Sequence, residues 1–150
     1  MDELTDQVEY ETMLLGRHVH MTTRARRNAG LLERSAYILL SRLRMQGPMS
    51  IGQLSEAFDL DASTLNRQTA AMMRAGLVER IPDPDGGIAR RFRVTEQGGH
   101  RLEEARGQNV HGLDKILADW TPQEVAEFVA CLKRFNASIE RIEGRPWPRR

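Results

Sequence analysis

Apolar residues recur at helical spacing through most of this chain. The first such stretch spans roughly residues 3–27, where Leu4, Val8, Leu15 and Val19 are separated by charged and polar side chains. A second, LLERSAYILLSRLRMQ, carries Leu32, Ala36, Leu39, Leu40 and Leu43 at the same spacing and is stopped by Gly47-Pro48. In the segment MSIGQLSEAFDLDASTLNRQTAAMMRAGLVERI, Ser50 can cap a short helix holding Ile51, Leu54 and Phe58. DLD makes a tight break there. Asp61 can then cap a further helix with Leu65, Thr69, Met72 and Met73, which Gly76 closes. A short helix, a tight turn and a second helix in sequence form a helix-turn-helix.

After Gly76 the period changes from helical to alternating. LVERI is β-prone, and in ARRFRV the residues Phe92 and Val94 alternate with Arg91 and Arg93, so two short strands joined by PDPDGG form a hairpin. A long helix follows from about Thr95, with Leu102, Ala105, Leu113, Ile116 and Leu117 as its apolar positions. The last helix has the best-marked start: Thr121 as N-cap, Pro122 at the first helical position and Glu124 as the capping-box partner. Its apolar residues Val125, Phe128, Leu132, Phe135, Ile139 and Ile142 are spaced 3, 4, 3, 4, 3, the period of a coiled-coil seam. Such a stripe either packs on its own domain or meets a second copy. The first helix also offers an apolar stripe and the centre already has its core, so pairing through the two ends is favoured. Leu4, Val8, Val125, Phe128, Leu132, Phe135 and Ile139 are the interface candidates. The final GRPWPRR is expected to be a frayed tail.

Composition adds limits. The 150 residues suffice for one compact domain, or a small domain plus an oligomerisation element. No apolar run approaches the ~18 residues a membrane span needs. The acidic start MDELTDQVEYE is unlike a signal peptide, so a cytoplasmic protein is expected, with no membrane partner. The single cysteine, Cys131, excludes an internal disulfide and a Cys-rich zinc site. Net charge is only +1, but its distribution is uneven. Residues 1–16 sum to −5, residues 17–101 to +6, and residues 102–150 balance. A basic middle between acidic and neutral ends fits a polyanion site placed centrally. Arginine outnumbers lysine twenty to two, which a GC-rich genome would also produce, so arginine richness itself carries no weight.

The stretch IPDPDGGIARRFRV invites three readings. As an EF-hand loop starting at Asp83 it fails, because the fifth position is Gly87 and the twelfth is Val94. A phosphate-binding loop fails because its glycines feed a strand rather than a helix. A tight turn remains. His18, His20, His100 and His111 form no i, i+4 ligand pair, so no metal and no cofactor is expected. Cys131 lies between two seam positions, and an inert thiol competes there with a redox sensor. No nucleophile, base and orienter stand out, so no catalytic residue is assigned and an enzyme is not expected.

Nucleic acid fits better. The helix after Asp61 presents Ser63, Thr64, Asn66, Arg67 and Gln68 near its amino end, while Leu65, Thr69 and Met72 turn inward. Capping accounts for one polar residue at a helix start, not for a patch reaching Gln68. In a helix-turn-helix this end enters the major groove, where such side chains reach base edges and phosphates. The hairpin then becomes a wing, its tip at Asp85, Gly86 and Gly87 and its returning strand bringing Arg90, Arg91 and Arg93 toward phosphates or the minor groove.

The segments YILLSRL, GPMSIGQLSEAF, DLDASTLNR, AGLVERIPDP and VTEQG, in this order over about 70 residues, resemble the MarR family of bacterial winged-helix transcription regulators. The expected fold is mainly α (α+β): a winged helix-turn-helix at 31–101 with a three-element sheet and β-hairpin wing, flanked by dimerisation helices at 1–30 and 102–150. The resemblance implies a homodimeric repressor on a pseudo-palindromic double-stranded operator, released by a small aromatic or anionic effector bound between the dimerisation helices and the winged helix. It puts Ser63, Thr64, Asn66 and Arg67 on DNA and Asp85 to Arg91 on the wing. The family often carries Asp-x-Arg at the wing tip, whereas here Asp85-Gly86-Gly87 is followed by Ile88, which shifts the expected minor-groove or phosphate contact to Arg90 or Arg91. Arg17, His18 and His20 are candidates for an anionic effector. A redox regulator acting through Cys131 and a winged-helix protein-interaction adaptor are the alternatives.

Overall fold

The computed structural model describes residues 2–149, without the side chains at 20–23, 27 and 28. In chain order it comprises α1 (Asp2–Asn28), α2 (Arg34–Gln46), α3 (Ile51–Phe58), α4 (Ala62–Arg74), β1 (Val78–Ile81), β2 (Arg91–Val94), α5 (Glu96–Ile116) and α6 (Pro122–Glu143). Helix termini follow local chemistry closely. Ser50 forms a full capping box with Gln53 on α3, and Thr121 forms one with Glu124 on α6. Thr95 caps α5 by accepting from the Gly98 amide. Asp61 occupies the N-cap position of α4, but its side chain makes no capping hydrogen bond.

Beyond α4, Gly76 adopts φ +75° and donates to Met73 O at 3.0 Å, while Leu77 N reaches Met72 O at 2.9 Å. This is a Schellman closure, and it delivers the chain straight into β1. The helix expected to begin at Leu31 starts only at Arg34. Gly30, at φ +72°, first turns the chain out of α1, and Glu33 then serves as N-cap without a side-chain cap.

The core lies where α2, α3, α4, the sheet and the beginning of α5 meet. Leu40, Leu54 and Leu65 are fully buried, joined by Leu39, Leu43, Met49, Met72, Phe92, Leu102 and Ala105. Each buried leucine contributes about 1.5–3 kcal/mol from apolar transfer. The sheet has two antiparallel strands, with Val78 opposite Val94 and Ile81 opposite Arg91. The third element expected in it is reduced to a single bridge, in which Met49 and Phe92 exchange hydrogen bonds of 3.2 and 2.8 Å. Pro48 before Met49 has no N–H, and Ser50 after it is committed to capping α3. One residue is therefore all that can pair.

The segment after α6 does not fray as expected. Gly144 takes φ +69° and Arg145 N returns to Glu140 O at 3.1 Å, so the chain reverses toward α3. Trp147 packs edge-on against Phe58 at 5.2 Å between centroids, and the Arg42 guanidinium lies 4.7 Å above its ring. Arg145 donates to Glu56 O at 3.1 Å and to Asp59 Oδ1 at 3.0 Å. Glu140 accepts from Trp147 N at 3.1 Å and from Arg149 Nη1 at 2.8 Å. Hydrogen bonds from Arg149 and from the Trp147 amide hold the Glu140 carboxyl at a pKa of about 2. A tryptophan with an aromatic and a cationic partner outweighs the fraying tendency of a chain end.

Candidate nucleic-acid interface

Helix α4 sorts its side chains by face. Leu65, Thr69 and Met72 point into the core, and the Thr69 hydroxyl donates back to Leu65 O at 2.7 Å, which satisfies it without a partner outside the helix. Ser63, Asn66 and Arg67 are exposed on the opposite face, with Thr64 half-buried beside them. Among the described residues Arg67 Nη2 makes only a long 3.4 Å contact to Thr64 Oγ1, which leaves its donor fork open. Gln68 is placed differently from the other polar residues, because it lines a cleft between α4 and α2.

The turn ahead of α4 is pinned. Asp59 adopts a left-handed φ of +52°, Leu60 N reaches back to Ser55 O at 3.3 Å, and the Ser55 hydroxyl donates to Leu60 O. Thus α3 fixes the direction in which α4 leaves.

The wing turn, residues 83–86, is built by its own carboxylates. Asp83 Oδ1 accepts from Asp85 N at 2.9 Å, Gly86 N donates to Asp83 O at 3.0 Å, and Gly86 takes φ +83°. A Cβ on Gly87 would stand 2.2 Å from Asp83 Oδ2, so only glycine lets that carboxylate lie there. Arg91 closes the turn, with Nη2 3.2 Å from Asp83 and 3.6 Å from Asp85. Arg93 is likewise engaged, its Nε 2.8 Å from Glu79 across the strands. Among the described residues Arg90 has no ion pair or hydrogen bond, and Ile88 beside it is fully exposed. The wing arginines that look equivalent in sequence therefore divide into a clamp, a cross-strand pair and an open cation.

Two adjoining clefts lie where the α1–α2 junction meets α5. One, of about 300 Å³, is lined by Leu32, Ala36, Gln68, Met72 and Arg101, and the other, of about 270 Å³, by Gly30, Arg101, Glu104 and Gln108. Arg101 borders both. Arg17 and His18 lie on α1 and line neither, and the side chain of His20 lies outside the described residues. Arg101 went unnoticed in the sequence because it follows helical spacing within α5; only its meeting with the junction after Gly30 distinguishes it.

The apolar stripes are uncovered in the single chain. Leu4 and Val8 on α1, Val110 and Leu113 on α5, and Phe128, Leu132, Phe135 and Ile139 on α6 are all exposed, with Val125 half-buried. Cys131 is exposed on α6 among them.

A short helix, a pinned turn, a polar-faced second helix and a β-hairpin beside it define a winged-helix DNA-binding protein. A profile of the MarR family matches residues 32–86. An HTH-type transcriptional regulator of Bacillus subtilis (strain 168), YxaD, is 34% identical over 132 residues, covering 88% of this chain and 92% of the relative. YdgJ, an HTH-type regulator of the same organism, is 23% identical over 113 residues, covering 75% and 69% respectively. A MarR family protein from Bacillus stearothermophilus superposes with a TM-score of 0.81 at 22% identity, over 93% of this chain and 97% of that one. The structure of MarR superposes with a TM-score of 0.73 at 20% identity, over 89% and 90%; both structures speak for the fold. The chain belongs to the MarR family of DNA-binding transcriptional regulators, which are not enzymes.

Proposed function

We propose that the protein is a homodimeric repressor that binds a pseudo-palindromic operator and is released by a small aromatic or anionic effector. The observation that carries the DNA reading is the division of α4, with Leu65, Thr69 and Met72 inward and Ser63, Asn66 and Arg67 outward. Ser63, Thr64 and Asn66 would hydrogen-bond base edges or phosphates, Arg67 would make the charged contact, and Arg90 would anchor the wing on the backbone. Gln68 would reach the same groove from the edge of α4. In this reading residues 31–101 form the DNA-binding unit, and 1–30 with 102–150 form the dimerisation region. The uncovered stripes of α1, α5 and α6 support pairing, since large apolar side chains exposed in rows along helices, rather than singly, mark an interface.

The clefts beside Arg101 favour the effector part of the proposal. An anionic group there would meet the guanidinium of Arg101 and, through Gln68, the recognition helix itself. The protein would work in the cytoplasm, where its operator is.

The test is fluorescence anisotropy on a duplex selected by the protein from a random pool, with a salt titration. Specific binding with a steep negative log–log slope is expected, because released counterions scale with phosphate contacts. Absence of binding to any duplex at low salt would overturn the DNA reading, and binding with no salt dependence would favour a protein partner for the same surface.

A further inference from the structure

Each winged-helix lobe is tied to α6 by the segment that follows that helix. Arg145 grips the end of α3, donating to the Glu56 carbonyl and to Asp59, the left-handed residue that opens the turn before α4. Trp147 wedges between Phe58, the last residue of α3, and Arg42 of α2. Arg42 is buried and uses Nε on Gln46 at 2.8 Å, while its Nη1 has no hydrogen-bond partner among the described residues. The face of Trp147 and the nearby Glu140 carboxylate are what compensate this buried cation. Pro146 and Pro148 flank the tryptophan and restrict its backbone, so the docked form costs less chain entropy than a free peptide would.

These contacts fall on α3, which fixes the direction in which the recognition helix leaves, and on α2, which shares its core. The lobe's other attachments are the α1–α2 junction, where Leu31 N returns to Arg26 O at 3.0 Å and Leu32 enters the core, and α5, which packs on α2 by way of Leu102 and Ala105. Those two lie side by side, bordering one cleft, so a lobe held by them alone would pivot about that place. Attachment to α6 through the end of α3 removes the pivot.

We propose that residues 145–149 act as a positioning strap, with Trp147 and Arg145 as positioning residues that fix each recognition helix relative to the dimerisation helices. The proposal rests on the homodimer reading, because the geometry being fixed is the separation of two recognition helices. Without the strap the lobes sample several orientations, and only a fraction match the operator spacing. Apparent affinity falls by that fraction.

Spin labels on Ser63→Cys in a Cys131→Ser background report the separation of the two recognition helices by double electron–electron resonance. A single narrow distance is expected for the parent protein. Trp147→Ala, Arg145→Ala and truncation after Gly144 should broaden the distribution, and Trp147→Phe should restore most of it. With Ser63 and Cys131 intact, Trp147→Ala, Arg145→Ala and the truncation should bind the selected duplex about tenfold more weakly while tolerating a half-site spacing changed by one base pair, and their binding to random duplex should not change. A narrow distribution and parental spacing preference in all three variants would refute the strap. Arg145 is partly solvent-exposed and outside the core, so Arg145→Ala decides the matter if Trp147→Ala fails to fold. A parent protein showing no inter-protomer distance would refute the dimer instead, a separate outcome.

Discussion

At the scale of single residues, identical side chains in this wing do different work. Arg91 is committed to Asp83 and Asp85, whereas Arg90 has no partner among the described residues. Arg90→Ala should therefore weaken binding evenly across DNA sequences and flatten the log–log salt slope by about 0.9, one phosphate contact's worth. Arg91→Ala should act through the turn: two carboxylates lose their shared cation, and the Gly86 amide should lose protection in hydrogen-exchange NMR. If Arg91→Ala changes only the salt slope and leaves that amide protected, the clamp assignment is wrong. Gly98 makes the companion case. A Cβ there would lie 2.0 Å from the Leu77 carbonyl oxygen, which accepts from Thr95 N at 3.1 Å. Alanine normally favours a helix over glycine by about 1 kcal/mol. Here the backbone clash outweighs that gain, and Gly98→Ala should destabilise by about 1–3 kcal/mol in urea unfolding.

At the scale of elements, the strap adds a pH dependence with a definite sign. The Glu140 pKa falls from 4.5 to about 2 on folding, chiefly through the hydrogen bond from Arg149 and then that from the Trp147 amide. A lowered acid pKa contributes stability that is fully present above about 4.5 and fades as pH falls toward 2. In a Trp120→Phe background, Trp147 emission should shift red across that interval, and Glu140→Gln should show the acid-like spectrum already at neutral pH. Emission of Glu140→Gln identical to its parent at neutral pH would show that the carboxylate does not hold the strap. The strap also marks where the sequence stopped being legible. Ser50, Thr95 and the TPQE box declare their helices through contacts within four residues. The division of α4 into Leu65, Thr69 and Met72 against Ser63, Asn66 and Arg67 follows from helical period alone. The docking of Trp147 on Phe58 joins residues nearly ninety positions apart, and no local pattern encodes such a pairing. The fate of Arg91 was hidden for a subtler reason: alternation says which face of the strand it is on, not that Asp83 bends back to meet it.

At the scale of the whole molecule, the deciding fact is that a helix with a 3.5-residue apolar seam leaves that seam in solvent. Helix α6 is 22 residues, about 33 Å, and carries Phe128, Leu132, Phe135 and Ile139 exposed along it. Its helical propensity and capping box fix its ends, yet neither contributes the burial that would hold it against the rest of its own chain. A second copy can supply that burial and bring two recognition helices onto one duplex, where half-sites one turn apart require about 34–36 Å between them. Pairing also makes the second half-site contact intramolecular, worth roughly 10²–10⁴ in affinity without a new contact. Phe135→Asp places a charge in the seam and should give a monomer in analytical ultracentrifugation. That monomer should keep its winged-helix core, bind single half-sites and random duplex like the parent, and lose affinity for the full operator by that avidity factor. A Phe135→Asp protein that remains dimeric would place the interface away from α6, whereas a monomer with undiminished operator affinity would mean that each lobe reads its site alone.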